Sequence, residues 1–506
     1  MDNLNEVIWL LCVNDFHAEL AESEGTPGCE KFVTAVKEFI QTHPNTVVLF
    51  GGDNYRGDPI SEVLGGEPVT KMMKLLNAKA SAIGNHEFDY GMDLIEQWQK
   101  QGNYQFLAAN LMDKRTGQRP ESVKASMTVD VKGINILIIG LSTVEPLATA
   151  DRPPEMEHYE LTDGSAAIRD IIDQALKSPE KKPDAIIGLT HFPLRYLHGT
   201  ETPSGDEAMN LCREVPELDG VFTGHLHQFM ALNIHGAAVA QGKSNSQGFA
   251  WLRLEFDDNR CLQSIVPGFE DIRTRQTEII PDTEMRELYI QCKEKAMKTL
   301  GRVIAHLPAR IVHRGDDFEV DLEGTPLSGL ATKVMCDLTG CQIALFYSGR
   351  IGRMLPKGDI TLYQAYQTLF FNNGIVTMKL SGREIIRNIE IGIRTLRHEG
   401  ASPIAIHGIK VVADYTKPYR HRVEKVVWGD GREFDRDASY PIAIDDFLAG
   451  NSMGFDFSKA TQVDYTGLSV REGMIQSLSR GYHFAQHQEQ FMTIKNKGSE
   501  FKGEKG

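Results

Sequence analysis

The chain has 506 residues, of which 41% are hydrophobic and 24% charged, and its 46 glycines and 21 prolines are spread along its length. This composition excludes collagen-like, coiled-coil and largely disordered chains, and the length exceeds one compact core, so two or three domains are expected. A formal charge of −15 argues against nucleic-acid polymers and anionic lipid as partners; a small anion bound here needs a local positive site.

The N-terminal MDNLNEVIWLLCVNDFH has no positive leader region and reads as a first strand, which favours the cytoplasm, or the periplasm or exterior had a leader been removed. From Glu6 to about Phe256 one phrase recurs: a short apolar run, a cluster of Gly, Asp, Asn or His, then a helical stretch. The runs are VIWLLCV, TVVLFGG, SAIGN, FLAAN, INILIIGLS, AIIGLTH, GVFTG and GFAWLRLEF, with a helical pattern over Ala166 to Leu176. Buried strands bounded by turn residues predict an α/β layered fold, in which ligand-handling residues gather at the carboxyl ends of strands.

Pro281 to Leu300 reads as a long connector helix begun near Asp282 and stopped by Gly301. Pro326 to Thr339 has the apolar spacing of one buried helix face, QIALFYS and Ile375 to Leu380 read as strands, and Ser381 to Glu384 forms a capping box opening a helix through Leu396. The expected organisation is therefore a first domain over 1–275, a connector over 276–305, a second domain over 306–495 and a flexible polar tail over 496–506. No run approaches 18 apolar residues, so no membrane span is expected. The seven cysteines are odd in number and lack CxxC pairs, so they read as mostly buried free thiols.

Five clusters in the first half carry metal-ligand side chains: Asp15-x-His17, Gly52-Asp53-Asn54, Gly84-Asn85-His86-Glu87 with Asp89, Thr190-His191, and Gly224-His225-Leu226-His227. Each follows a strand-like run, so five segments can deliver ligands to one rim. Carboxylate and imidazole without thiolate suit Zn, Mn, Fe, Co or Ni. Singly, Asp-x-His or Gly-Asp is an ordinary turn. Their joint occurrence in this order is the signal. Glu87 and Asp58 read as structural, and Asn110 has no assigned role.

The order DxH, GD, GNHE, a later His and GHxH resembles the calcineurin-like metallophosphoesterase superfamily. The fuller segments VNDFHAEL, LFGGDNYRGDPIS, SAIGNHEFDYG and FTGHLHQ resemble the 5′-nucleotidase family, and the second half agrees in LPKGDITLYQAYQTLFFNNGIVTMKLSGREI and DDFLAGNSMGFDF. The resemblance covers nearly the whole chain. It implies a four-layer α-β-β-α metallophosphoesterase domain followed by a mixed α+β C-terminal domain that binds substrate. It further implies two divalent metal ions (Mn, Zn, Co, Fe or Mg), one among Asp15, His17 and His227, the other among Asn85, His191 and His225, with Asp53 bridging. The family's reaction would be hydrolysis of nucleoside phosphates by metal-activated water, with His86 as catalytic histidine oriented by Asp89.

The aromatic pair that sandwiches a nucleobase in the family matches Phe371 and Phe447. The family's Asn-x-Gly-Gly-Ile-Arg run appears here as Tyr347-Ser348-Gly349-Arg350-Ile351-Gly352-Arg353, so its arginine falls on Gly352, and either Arg350 or Arg353 supplies the substrate-binding cation. The family's Gly-Gly-Asp-Gly appears as Asn451 to Gly454, with Asp456 further on. These departures leave three readings: a 5′-nucleotidase; the same metal chemistry on a 2′,3′-cyclic nucleotide, a nucleotide-sugar or dinucleotide pyrophosphate, or a sulfur ester; and, from another class, a metal-containing receptor without turnover.

Overall fold

A computed structural model describes residues 6–23, 25–145, 147, 152–177, 182–197, 200–312, 324–369, 371–393, 404–450, 454–481 and 491–496. The chain divides into two compact units near residue 296.

In the first unit, alternation along each strand sends side chains to two different cores. Ile8, Leu10 and Cys12 of the strand Glu6–Val13 enter one core, which they share with Val47, Leu49, Ile136, Ile138, Ile187, Leu189 and Phe222. Trp9, between them in sequence, packs instead on Phe39 of the helix Gly28–Thr42. The shared core lies between two six-stranded sheets. One runs Leu262–Asp271, Gly248–Phe256, Glu6–Val13, Thr46–Phe50, Ala80–Ala82, Gln105–Leu107; the other runs Phe229–Ile234, Ala237–Gly242, Gly220–Gly224, Ala185–Pro193, Ile134–Leu141, Ser126–Val131. The second sheet's outer face buries Leu137, Ile139 and Ile186 against Ile168 and Ile172 of the helix Gly164–Lys177 and Leu211 of Asp206–Glu214. Helix, sheet, sheet and helix thus form the four expected layers.

All eight expected apolar runs contain strands. One boundary differs. The strand Ala185–Pro193 continues past Thr190 and His191, so His191 projects from within a strand. The helix Thr283–Leu300 starts beside Asp282, whose Oδ1 accepts the Met285 N–H, and spans the division between the units.

The second unit is built on a mixed five-stranded sheet ordered Ile404–His407, Ile343–Tyr347, Ser439–Asp445, Gly374–Ser381, Thr461–Ser469. Ile343, Leu345 and Tyr347 enter the core on one face, while Ala344 and Phe346 meet the helix Pro326–Thr339 on the other. Ser381 caps the helix Gly382–Gly392 by accepting the Glu384 N–H. That helix ends at Gly392, with Ile393 as its cap donating its N–H to Ile389 O, short of the expected Leu396; residues 394–396 and the tail beyond residue 496 lie outside the described residues. All seven cysteines are free, and all but Cys261 are buried. Among the described residues no helix is long and apolar enough to cross a membrane.

Candidate functional site

The strands Glu6–Val13, Thr46–Phe50 and Ala80–Ala82 run parallel, so the segments leaving their carboxyl ends emerge side by side. Backbone pairing fastens the first two segments together: Asp15 N–H donates to Gly52 O at 3.0 Å and His17 N–H to Asp53 O at 3.0 Å. The segments close on one another because glycine leaves room. A Cβ on Gly52 (φ +89°) would stand 2.6 Å from the Gly84 nitrogen, and one on Gly84 would stand 2.2 Å from Asp53 Oδ1. Asp15, His17, Asp53, His225 and His227 all adopt left-handed φ between 49° and 69°. Non-glycine residues persist in that region only where the surroundings over-determine them, as at a ligand clamp.

This convergence forms two groups of ligand atoms. Asp15, His17 and His227 make one, and Asp53, His191 and His225 the other, the ligand atoms of each lying within 4.8 Å of one another. In the first, His227 Nε2 is 3.3 Å and His17 Nε2 3.8 Å from Asp15 Oδ1, and the two Nε2 atoms are 3.1 Å apart. In the second, His191 Nε2 lies 3.1 Å from Asp53 Oδ2, and Asn85 joins with its Oδ1 3.0 Å from His225 Nδ1. The other ring nitrogens are held from behind, His17 Nδ1 by Arg56 O at 3.1 Å and His191 Nδ1 by Gly51 O at 2.8 Å. Such outer partners set the tautomer and aim the ligating nitrogen. All seven sequence-expected ligands are thus brought together.

Electrostatics fits a cation at this point. Burial opposes charge on Asp53, yet His191 and then His86 outweigh it and hold the carboxyl well below its ordinary range. Burial also opposes charge on His191, but Asp53 and Asp15 raise it to about 10, so the two buried carboxylates draw positive charge there. His17 and His225 are kept neutral, each lowered to about 4 by burial first, with His227 acting on His17 and His191 on His225. Neutral imidazoles and ionised carboxylates are the forms that ligate metal. His191 Nε2 is buried 3.1 Å from Asp53 Oδ2 with no hydrogen-bond partner, so a cation bound there would take the place of the proton that the two carboxylates otherwise favour on it.

His86 donates its backbone N–H to Asp53 Oδ1 at 2.9 Å, and its Nδ1 is 2.7 Å from Asp89 Oδ2. The 3₁₀ turn Glu87–Tyr90 brings residues three apart onto one side. Burial works against protonation of His86, but Asp89 and then Asp53 hold its pKa above the ordinary value. Sequence reasoning missed two partners of this pair. Arg56 Nη1 reaches Asp89 Oδ2 at 2.9 Å, and Arg152 meets Asp89 Oδ1 through Nε at 3.2 Å and Asn85 O through Nη2 at 2.8 Å. They stand 33 and 63 residues from Asp89 in the chain; Arg56 lies within the segment LFGGDNYRGDPIS but is not one of its ligand residues, and Arg152 lies outside every motif. Despite burial, His86 and Arg56 pull Asp89 down to about 2.

Glu87 and Asp58 have structural roles, as read from the sequence. Glu87 accepts the N–H groups of Asp53, Asn54 and Gly84 at 2.7–2.8 Å, and Asp58 caps the helix Pro59–Val63. Asn110 also proves structural: buried, it accepts the Ser142 N–H and donates to Ser142 O and Thr162 O.

In the second unit Phe371 and Phe447 both lie against Arg350, whose Cζ is over each ring, 4.1 Å from one centroid and 4.0 Å from the other. Tyr347 stacks on Phe447 at 5.1 Å and 29°. Arg353 is exposed. Of the two candidate arginines, Arg350 is the one placed against the aromatic pair. Asp456 is engaged with Ser458, at 2.5 Å from its Oγ, and with Arg387 at 3.4 Å.

A calcineurin-like phosphoesterase family model matches residues 8–229, and a model of the 5′-nucleotidase C-terminal domain matches 303–460. A 5′-nucleotidase of Vibrio cholerae is 25% identical over 487 residues, covering 88% of this chain and 85% of that protein. The solved 5′-nucleotidase precursor of Thermus thermophilus shares the fold with a TM-score of 0.71 at 22% identity, over 97% of this chain and 100% of that one. So does the sulfate thiohydrolase SoxB of a Thermus species, with a TM-score of 0.64 at 15% identity, over 97% of both chains. The chain belongs to the metallophosphoesterases that join a calcineurin-like domain to a 5′-nucleotidase C-terminal domain, hydrolases of phosphate esters that use two divalent metal ions.

Proposed function

We propose that the protein is a 5′-nucleotidase, releasing phosphate from a nucleoside phosphate. The observation that carries this reading is the position of Asp53 between the two ligand groups, with Oδ2 3.1 Å from His191 Nε2 and 4.0 Å from His17 Nε2. In this reading Asp15, His17 and His227 hold one divalent cation, Asn85, His191 and His225 the other, and Asp53 is shared. Bound cations supply Lewis acidity toward phosphoryl oxygens and lower the pKa of water toward neutrality. His86, with Nδ1 tied to Asp89, offers Nε2 to a phosphoryl or leaving oxygen, and its raised pKa suits it to carry that proton. Arg56 and Arg152 fix the Asp89 carboxylate, and so the imidazole plane. Phe371 and Phe447 receive the base, and Arg350 lies at the same place. The first unit supplies the chemistry and the second the grip on the organic part of the substrate. The free, buried cysteines support a cytoplasmic location.

A second reading keeps the metals and exchanges the substrate for a cyclic nucleotide or a pyrophosphate. It is favoured by the departures of Tyr347–Arg353 and Asn451–Gly454 from the family's substrate-binding runs. The test is turnover by the full chain with added Mn, Zn, Co or Mg across mononucleotides, cyclic nucleotides, nucleotide sugars and sugar phosphates. The highest kcat/KM is expected for a nucleoside monophosphate, with activity abolished by chelation. A higher value on a cyclic or pyrophosphate substrate transfers the assignment to the second reading, and no turnover on any member makes the protein a receptor.

A further inference from the structure

The slot between Phe371 and Phe447 already has a planar occupant. Arg350 enters it from the 3₁₀ turn Ser348–Arg350, which follows the strand Ile343–Tyr347. Its Cζ lies over both rings, 4.1 and 4.0 Å from their centroids, the distance at which a planar group stacks on each of them. The walls are tied to each other. Asp446, next to Phe447, accepts the Asn373 side-chain N–H and the Gly374 backbone N–H, both at 2.8 Å, which fixes the bend carrying Phe371 against the short helix Asp446–Ala449. Tyr347 stacks on Phe447 and braces it. Charge also favours this placement. Asp445 is fully buried, with its carboxylate accepting the Tyr347 and Leu448 N–H groups; burial raises its pKa, and the Arg350 guanidinium works in the opposite direction.

A guanidinium is flat, delocalised and weakly hydrated, and between two aromatic faces it gains cation–π attraction on both sides. A nucleobase stacks through the same faces at the same spacing. We propose that Arg350 is a specificity-determining residue that occupies the inter-ring slot as an internal plug, so that a ring of the substrate stacks between Phe371 and Phe447 only by displacing it. The proposal deepens the nucleotidase reading, on which it rests for assigning this slot to the organic part of the substrate. A neutral base exchanges one stacked plane for another and loses most of its stacking gain. A substrate whose organic part is not planar leaves the plug in place. The residue therefore sets how strongly the protein distinguishes nucleotides from other phosphate esters.

The experiment is calorimetric titration of adenosine into the full chain, wild type against Arg350→Ala, with Arg350→Gln as a second variant that keeps a polar side chain should the first fail to fold. Removing the plug is expected to tighten adenosine about tenfold or more. Adding Phe371→Ala to Arg350→Ala should remove most of that gain, which locates it in the slot. Equal or weaker adenosine affinity in both single variants overturns the plug and makes Arg350 a ligand contact. Hydrolysis of adenosine monophosphate by the same preparations separates the two readings: tighter adenosine binding without nucleotide turnover keeps the plug and removes the nucleotidase assignment.

Discussion

The rim of the first unit and the ring slot of the second are built on different principles. At the rim the backbone decides: five segments converge, five of the seven ligands sit at left-handed φ, and glycines at 52 and 84 leave no space for any other residue. Outer partners then lock the ring nitrogens of His17 and His191. At the slot two phenylalanines stand on a bend and a four-residue helix, joined through the single carboxylate of Asp446, and the occupant is a long side chain with many rotamers. The chemistry is thus placed where geometry cannot drift, and selectivity where one side-chain movement changes it.

The strongest way to break this comparison is at Asp53. Asp53→Ala removes the carboxylate both ligand groups face, and turnover should fall to background together with the bound metal, read by stoichiometry on the purified protein. A variant retaining both metals and rate would mean the rim tolerates drift. Next in size is His86→Ala. His86 reaches Asp53 through its backbone N–H, which alanine preserves, so two metals should remain while kcat falls by about 10²–10⁴. Loss of metal would make His86 part of the rim's scaffold.

Chelation separates the units. With free metal at about 100 times its Kd, binding should stabilise the native state by about 2.7 kcal/mol, and removing it should lower the melting transition of the first unit. The left-handed ligand segments account for the site of that effect, since a bound cation offsets the cost of holding them in place. Among the described residues the second unit holds no cluster of this kind, and its transition should stay put. A shift confined to the second unit would place the metals wrongly.

What the sequence makes legible follows the same division. The rim can be read because each ligand is adjacent to a strand end, and strand ends are marked by a change from continuous apolar residues to Gly, Asp, Asn and His. The strands Ser126–Val131 and Leu262–Asp271 lack that mark, because they are half-exposed sheet margins whose residues never form a long continuous apolar run. His191 reads as a strand end although its strand continues to Pro193, since the polar Thr-His pair looks like a turn. Arg56 and Arg152 leave no local mark, because their contact with Asp89 exists only after the chain has folded across 33 and 63 residues. The slot is half legible. Two phenylalanines and two nearby arginines can be named, but which arginine lies between the rings depends on the turn after Tyr347 and on a rotamer.

The smallest expected effect concerns Asp456, the acid that follows the place of the family's Gly-Gly-Asp-Gly run. Its N–H donates to Asn388 Oδ1 at 2.8 Å, and its carboxylate turns back to the Ser458 N–H at 3.1 Å and to the Ser458 hydroxyl. Arg387, 3.4 Å away, is half exposed, so water and salt screen the ion pair and it adds little. Ser458 pulls the carboxyl below its ordinary pKa by hydrogen bonding, which keeps it ionised and engaged near neutrality. Asp456→Asn should therefore change the KM for a nucleoside monophosphate by less than about twofold, the scale of such a surface contact. A tenfold rise in KM with kcat unchanged would instead show that Asp456 leaves Ser458 to hold substrate. The selectivity of the second unit would then lie in two residues that move, Arg350 and Asp456, and the contrast with the fixed rim would widen.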